Sequence, residues 1–413
     1  MSVVLERPYQ FVPPYRHSLW PTLIQAFRLV DLYLAKKEGV VDYQVRGLEH
    51  WKSALDAGQG VLLAPNHCRY ADPLVIGWPA RELGVHVHAV ASWHLFNVGW
   101  FDSFALRRMG AFSINREGSD KQSLESAIDI LATGSRSLVL FPEGTTNRTN
   151  DVLKPLLDGV AFIARAAGKK RRKAERPPVV MLPTALKYLC VRDGRDWMIE
   201  QLEALEDHFG WQRQKHRSIL DRTVRLAEAM LSLKEIEYLG QSETGDLRHR
   251  RDHLMVALLD QAEDAIGLVH EESGSDVRER VRRIRSEVVS KHFSAKEQDE
   301  SRAVRLRGFA RMADLAQSLL SYPDCYLEST HVTETRIIET IQRMQEQLFG
   351  KSNNEIELKV VIQFDEPIEV DPKRPPRDQT DPVMTRLSER LTAMLGELSL
   401  EARDAQSAQL TTT

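Results

Sequence analysis

Residues 61–73 read V-L-L-A-P-N-H-C-R-Y-A-D-P and place a histidine, His67, five positions ahead of an aspartate, Asp72. A neutral imidazole, with an ordinary pKa near 6.5, can take a proton at near-neutral pH. A neighbouring carboxylate fixes its tautomer and steadies the imidazolium that results. On one continuous helix a spacing of five would turn the two side chains to different faces. The pair therefore needs a loop that folds back, and the flanking residues supply one. Val61–Ala64 is an apolar run suited to a buried strand, and Pro65 and Asn66 end it. Asp72 and Pro73 then provide an N-cap and a first helical residue.

A lone His–Asp pair more often satisfies a local hydrogen bond than performs chemistry. Three further stretches change that weighing: G-A-F-S-I-N-R at 110–116, F-P-E-G-T-T-N-R at 141–148 and V-V-M-L-P-T at 179–184. Each is an apolar run that ends in a charged residue, a glycine or a proline, so four strand ends can surround one site. Strand candidates at 43–46, 61–64, 85–91, 111–114, 137–141 and 179–184 alternate with helical stretches. That alternation predicts an α/β fold with a mostly parallel central sheet flanked by helices, in which functional groups gather at the strands' C-terminal ends. The helix after Ser119 carries a capping box with Gln122 and stops at Gly134.

The pattern changes after residue 193. Residues 194–350 are charged, poor in glycine and helical in period, with arginine-dense stretches at 278–285 and 302–311. These are interleaved with glutamates, which favours a solvated face over a lipid or nucleic-acid patch. A strand returns at 357–364, and Met384, Leu387, Leu391 and Leu395 mark a last amphipathic helix before a T-T-T end expected to fray. The expected organisation is an N-terminal amphipathic helical region (1–39), an α/β domain (40–193), a helical insertion before the last strand (194–350), and the last strand and C-terminal helix (351–413).

The four blocks, in this order and at these intervals, resemble the glycerolipid acyltransferase family of H-x4-D type, over residues 40–190 and again from 357. The resemblance implies transfer of a fatty acyl group from acyl-CoA or acyl-carrier protein to a hydroxyl of a lysophospholipid such as 1-acylglycerol-3-phosphate, in phospholipid biosynthesis and without a cofactor. It makes His67 the general base and Asp72 its orienter. Arg116 matches the arginine that the family uses for the acceptor's phosphate, which a guanidinium fork suits. Glu143, Gly144 and Thr145 match the third block. Glycine admits a close ligand, threonine adds a hydroxyl, and Glu143 would position Arg116 or bind an acceptor hydroxyl. Arg148 is assigned to the substrate site too, but Thr146 and Asn147 displace it from the place right after E-G-T. Lys154 and Gly159 are likewise more widely spaced than the family's F-K-x-G. These departures keep two alternatives open: a different lipid acceptor, or a catalytically silent lipid-binding or scaffold homologue. Cys68, beside the base, is read as filler.

The remaining features set limits. A net charge of −3 over 413 residues gives no pull towards nucleic acid. Three scattered cysteines argue against a disulfide framework or a zinc site. His86 and His88 alternate beside His94 but have no further ligand at metal spacing. No stretch approaches the roughly 18 apolar residues of a spanning helix. A helix from Ser18 to Gly39 with Trp20, Leu23 and Phe27, and a stripe of Trp93, Phe96, Trp100 and Phe104 followed by Arg107 and Arg108, suit either a core or a lipid interface. The expected location is peripheral, on the cytoplasmic face of a membrane.

Overall fold

Short β-branched runs and the amphipathic stretches between them build one sheet with helices on both faces, as burying one side of each element requires. The computed structural model describes residues 3–270, 276–295, 300–328, 332–376 and 380–405. The final Thr411–Thr413 lie outside these. Helices α1 (Leu19–Ala26) and α2 (Leu29–Tyr33) and a π-type turn (Leu34–Glu38) precede β1 (Val40–Arg46) and α3 (Leu48–Asp56). β2 (Gly60–Pro65), α4 (Asp72–Val75), α5 (Gly77–Glu82), β3 (Val87–Ser92), a 3-10 turn (Trp93–Asn97) and α6 (Trp100–Arg108) follow. Next come β4 (Ala111–Ile114), α7 (Lys121–Thr133), β5 (Ser137–Val139), α8 (Gly159–Lys173) and β6 (Val179–Cys190). A helical stretch then intervenes: α9 (Arg195–His208), α10 (Ile219–Leu239), α11 (Leu247–Ile266), α12 (Val277–Phe293), α13 (Glu300–Leu319) and α14 (Glu334–Phe349). β7 (Leu358–Phe364), β8 (Ile368–Glu369) and α15 (Pro382–Ser399) close the chain.

The strand order is β1-β7-β6-β2-β5-β3-β4. All neighbours run parallel except at β6, whose first half pairs antiparallel with β8 and whose second half pairs antiparallel with β7. β2 lies between β5 and β6 and is buried along its whole length, as a parallel strand covered on both faces must be. One core packs Trp51, Leu63, Leu202 and Ile341 from α3, β2, α9 and α14; the opposite core packs Leu62, Leu131, Ala164 and Leu387 from β2, α7, α8 and α15. A separate core joins α11, α12 and α13.

Several local expectations need correction. The helix read from Ser18 to Gly39 is broken at Arg28, whose φ of 51° is left-handed and cannot continue the hydrogen-bond ladder. Asp120, not Ser119, caps α7 by accepting from the Ser123 amide, a placement that also sets a carboxylate at the positive helix end. Asp72 is the first residue of α4 and Ala71 precedes it, because the carboxylate is engaged elsewhere. Of the arginine-dense stretches, 302–311 exposes Arg302, Arg305 and Arg311 as expected, but 278–285 is largely covered and, like α10 and α11, carries buried paired arginines. Arg222 pairs with Glu206 at 2.8 Å, Arg250 with Glu235 at 2.7 Å and Arg280 with Glu263 at 2.6 Å, each pair buried between successive helices, while Arg285 of α12 pairs with Asp314 of α13. The aromatic stripe divides: Trp93 and Phe96 are buried, whereas Trp100 is 80% exposed and Phe101 stands beside it in solvent.

Candidate active site

β2 and β5 are adjacent and parallel, so the loops that leave their C-terminal ends meet. Asn66 fixes the first. Its side chain accepts from the Leu186 amide at 2.7 Å and donates to the Leu186 carbonyl at 3.0 Å, so the chain leaves the sheet at a set point. His67 follows, and the loop folds back until His67 Nδ1 lies 2.9 Å from Asp72 Oδ2. A carboxylate can only accept, so Nδ1 carries the proton and Nε2 presents its lone pair. Phe141 stacks on the imidazole with ring centroids 4.1 Å apart and holds its plane.

Asp72 is buried and fully engaged. Oδ2 also accepts from the Arg69 amide at 2.9 Å, and Oδ1 accepts from the Tyr188 hydroxyl at 2.6 Å. Burial and the adjacent Asp72 charge push the Tyr188 hydroxyl well above its ordinary range, so it remains a donor. The same causes raise the pKa of Cys68, whose buried thiol is 3.9 Å from Asp72. A neutral buried thiol is no nucleophile, consistent with filler.

The loop after β5 carries the third block. Glu143 Oε1 accepts from the His67 amide at 2.6 Å, and Oε2 accepts from Asn147 Nδ2 at 2.6 Å and the Lys154 amide at 3.0 Å. Its carboxylate thus ties the two loops together. The charges acting on Arg116 come from Arg285 and Glu117 instead, and burial lowers the Arg116 pKa to about 10. Burial also raises the Glu143 carboxyl to about 7 despite the three donors. Gly144 has a φ of 76°, and a Cβ there would sit 2.5 Å from Leu157 Cδ1. Thr146, read from sequence only as a departure, places Oγ1 3.0 Å from His67 Nε2. Beyond Thr145 and Thr146 opens a polar cavity of about 650 Å³.

Arg148 lines that cavity but is bound to protein. It has a φ of 48°, its guanidinium meets Glu346 at 2.6 Å and Gln342 at 3.1 Å, and its amide donates to the Cys68 carbonyl at 2.9 Å. Both partners lie on α14, which is buried almost all round from Glu334 to Gln345. Arg343 Nη2 donates to the Arg148 carbonyl at 2.6 Å and the Asn147 carbonyl at 3.2 Å, and Arg69 donates to Gln342 at 3.1 Å. The last helix before β7 therefore clamps both loops. No sequence signal marked this helix, or Tyr188, which lies beyond the expected end of its strand at 184. Asn66 stood within the motif without a role.

The structure gives His67, Asp72, Glu143, Gly144 and Thr145 one neighbourhood, with Arg148 in the lining of the same cavity and Arg116 near enough to Arg285 to feel its charge. His88 Nδ1 bonds the Gly110 carbonyl, His94 the Ser92 hydroxyl and His86 the Thr22 hydroxyl. Burial lowers both His88 and His94 to about 4. Among the described residues these histidines belong to no three-ligand cluster.

The mostly parallel sheet flanked by helices is consistent with an acyltransferase fold. Residues 42–187 match the family described as Acyltransferase. This match, from β1 to most of β6, and the relative described next support the glycerolipid acyltransferase family. A similar protein is the 1-acyl-sn-glycerol-3-phosphate acyltransferase of Streptococcus pneumoniae (strain ATCC BAA-255 / R6), 26% identical over 180 residues. The alignment takes in 42% of this chain and 62% of that protein's length, and α9–α14 lie outside the matched family segment.

Proposed function

We propose that this protein transfers a fatty acyl group from acyl-CoA or acyl-carrier protein to a hydroxyl of a lysophospholipid such as 1-acylglycerol-3-phosphate. The observation that carries the reading is His67, whose Nδ1 is held by Asp72 and whose Nε2 faces a hydroxyl, that of Thr146, at 3.0 Å. An acceptor hydroxyl in the place of Thr146 Oγ1 would give its proton to Nε2 while its oxygen attacks the thioester carbonyl. The C–S bond then breaks, and the leaving thiolate takes the proton back from the imidazolium. The thioester already has a good leaving group, so no acyl-enzyme is needed. Asp72 holds the tautomer and offsets the imidazolium charge, and Tyr188 and the Arg69 amide hold Asp72.

The acceptor is the finer question. Arg148 is occupied by Glu346, and Glu143 by backbone and Asn147, so two residues assigned to the acceptor are spent within the protein. That favours a second reading, the same reaction on a different lipid acceptor. Helices α9–α14 act in this proposal as an insertion that completes the site through α14. Among the described residues no helix is long and apolar enough to cross a membrane. Leu19, Phe27, Leu29, Val98, Trp100 and Phe101 are exposed, and Trp20 meets Phe104 edge-on at 5.3 Å, which joins α1 to α6. This face would rest in the headgroup layer of the cytoplasmic leaflet.

The test is transfer from labelled acyl-CoA, and from acyl-carrier protein, to a panel of lysolipids and glycerol phosphate, with His67→Ala in parallel. Transfer to one acceptor and its loss in the variant is the expected result. Equal transfer by the variant removes His67 as base, and acylation of no acceptor leaves a lipid-binding homologue.

A further inference from the structure

The cavity beyond Thr146 has an uneven charge balance. Of its lining cations, Arg148 is paired with Glu346 and Arg285 with Asp314. Lys37, Arg343 and Lys351 remain, against Glu38 alone. Arg343 is the unusual member. It is only 4% exposed, yet Nε and Nη1 are buried and find no hydrogen-bond acceptor among the described residues. Only Nη2 is used, on the Asn147 and Arg148 carbonyls, while the Tyr322 ring stacks on the guanidinium at 4.4 Å. A buried charge with idle donors is costly unless a partner supplies the missing acceptors.

Arg343 and Gln347, one turn apart on α14, also line a second cavity of about 160 Å³ between α10, α11, α13 and α14. Its other walls include Ala227, Met230, Leu315, Leu319 and Met344. The two cavities differ in kind: the first has no aliphatic side chain in its lining, and the second is mostly apolar. The first offers an acyl chain no aliphatic wall, only the rings of Tyr33 and Tyr70 among polar groups. The second has room for roughly five groups of the size of a water molecule, enough for the far end of a chain.

We propose that the helical insertion forms a binding site for an anionic amphiphile, with an oxyanion on Arg343 and the hydrocarbon tail in the apolar cavity behind it. The proposal rests on the acyl-transfer reading for its biological ligand, which would be the phosphate-bearing acceptor or the phosphate-bearing donor. It places selection of head group and chain on α10–α14 rather than on the strand-end loops.

Dodecyl phosphate, dodecanol and inorganic phosphate are suitable probes, titrated calorimetrically into the full chain. Dodecyl phosphate should bind saturably and at least tenfold tighter than either fragment. Arg343 also supports the loop at Asn147, so two variants that leave it in place carry the test. Gln347→Glu sets a carboxylate one turn from the guanidinium and should weaken dodecyl phosphate at least tenfold while sparing dodecanol. Ala227→Phe fills the apolar cavity and should weaken both dodecyl probes while sparing inorganic phosphate. Unchanged dodecyl phosphate binding in either variant overturns the site. In the transfer assay, Gln347→Glu should raise KM for the acceptor if the acceptor's phosphate is the anion, and for acyl-CoA if the donor's is. Unchanged KM for both also overturns it. A protein that binds dodecyl phosphate in this pattern but acylates nothing keeps the site and refutes the reaction. One that acylates but shows none of these effects keeps the reaction and refutes the site.

Discussion

Replacing Glu143 by Gln tests whether this carboxylate joins the two loops as a buried acid. Its folded pKa is raised from 4.5 to about 7 by burial. The folded protein therefore holds the proton more tightly than the unfolded chain. Stability is highest below about pH 4.5, falls as pH rises towards 7, and is level above that. At about 1.4 kcal/mol per pH unit of difference, the loss from this group is about 3 kcal/mol. Glutamine does not titrate, but its amide must turn a donor either towards the His67 amide or towards the Lys154 amide and Asn147. Asn147 cannot flip to help, because its Oδ1 already accepts from the Thr149 amide at 2.9 Å. One unsatisfied donor costs about 1–3 kcal/mol. Urea unfolding of both proteins from pH 4.5 to 8.5 should thus find the variant less stable by about 1–3 kcal/mol at the acid end and equal to or more stable than the parent at the alkaline end. If the two stability curves run parallel across this range, Glu143 does not titrate as a buried acid and the reasoning fails.

Tyr188→Phe removes one of the donors to Asp72. A hydrogen bond to a charged group is worth about 1.5–3 kcal/mol, so denaturant unfolding should register a loss of that size and kcat should fall with KM little changed; a variant as stable as the parent would remove Tyr188 from the Asp72 network. Gly144→Ala forces a left-handed residue to carry a Cβ. Leu157 is exposed and can swing aside, so the expected loss is the backbone cost of about 1–2 kcal/mol, read from chemical denaturation, and no loss would mean the loop relaxes to another conformation. Trp100→Ser with Phe101→Ser should lower flotation with anionic liposomes several-fold without changing the melting temperature; undiminished flotation would refute the proposed lipid contact of this face.

The readable part of the site was local. His67 and Asp72 are five residues apart, and Pro65, Asn66 and Pro73 restrict the chain between strand and helix, so their approach follows from residues that are neighbours in sequence. Strand and helix periods likewise record which side of each element is buried, which is why most strands fall within a few residues of their expected positions. The helix break at Arg28 and the switch of cap from Ser119 to Asp120 had no such record. Each depends on what the segment packs against.

The roles of Glu143, Arg148 and α14 were not readable for a related reason. Glutamate and arginine look alike in sequence whether they meet solvent, substrate or each other, and the partners here are far apart along the chain: Arg148 meets Glu346, and Glu143 meets the His67 amide. The arginine-dense stretches looked solvated because glutamates are interleaved with them, whereas Arg280 and Arg285 pair with Glu263 and Asp314 on neighbouring helices. The sequence alone determined the class of fold and the paired histidine and carboxylate, because both are written in short-range spacing. Only the tertiary structure decided which carboxylates and arginines are consumed in holding the loops, and that α14 brings Arg343 to the cavity, because long-range packing sets the surroundings of Glu143, Arg148 and Arg343.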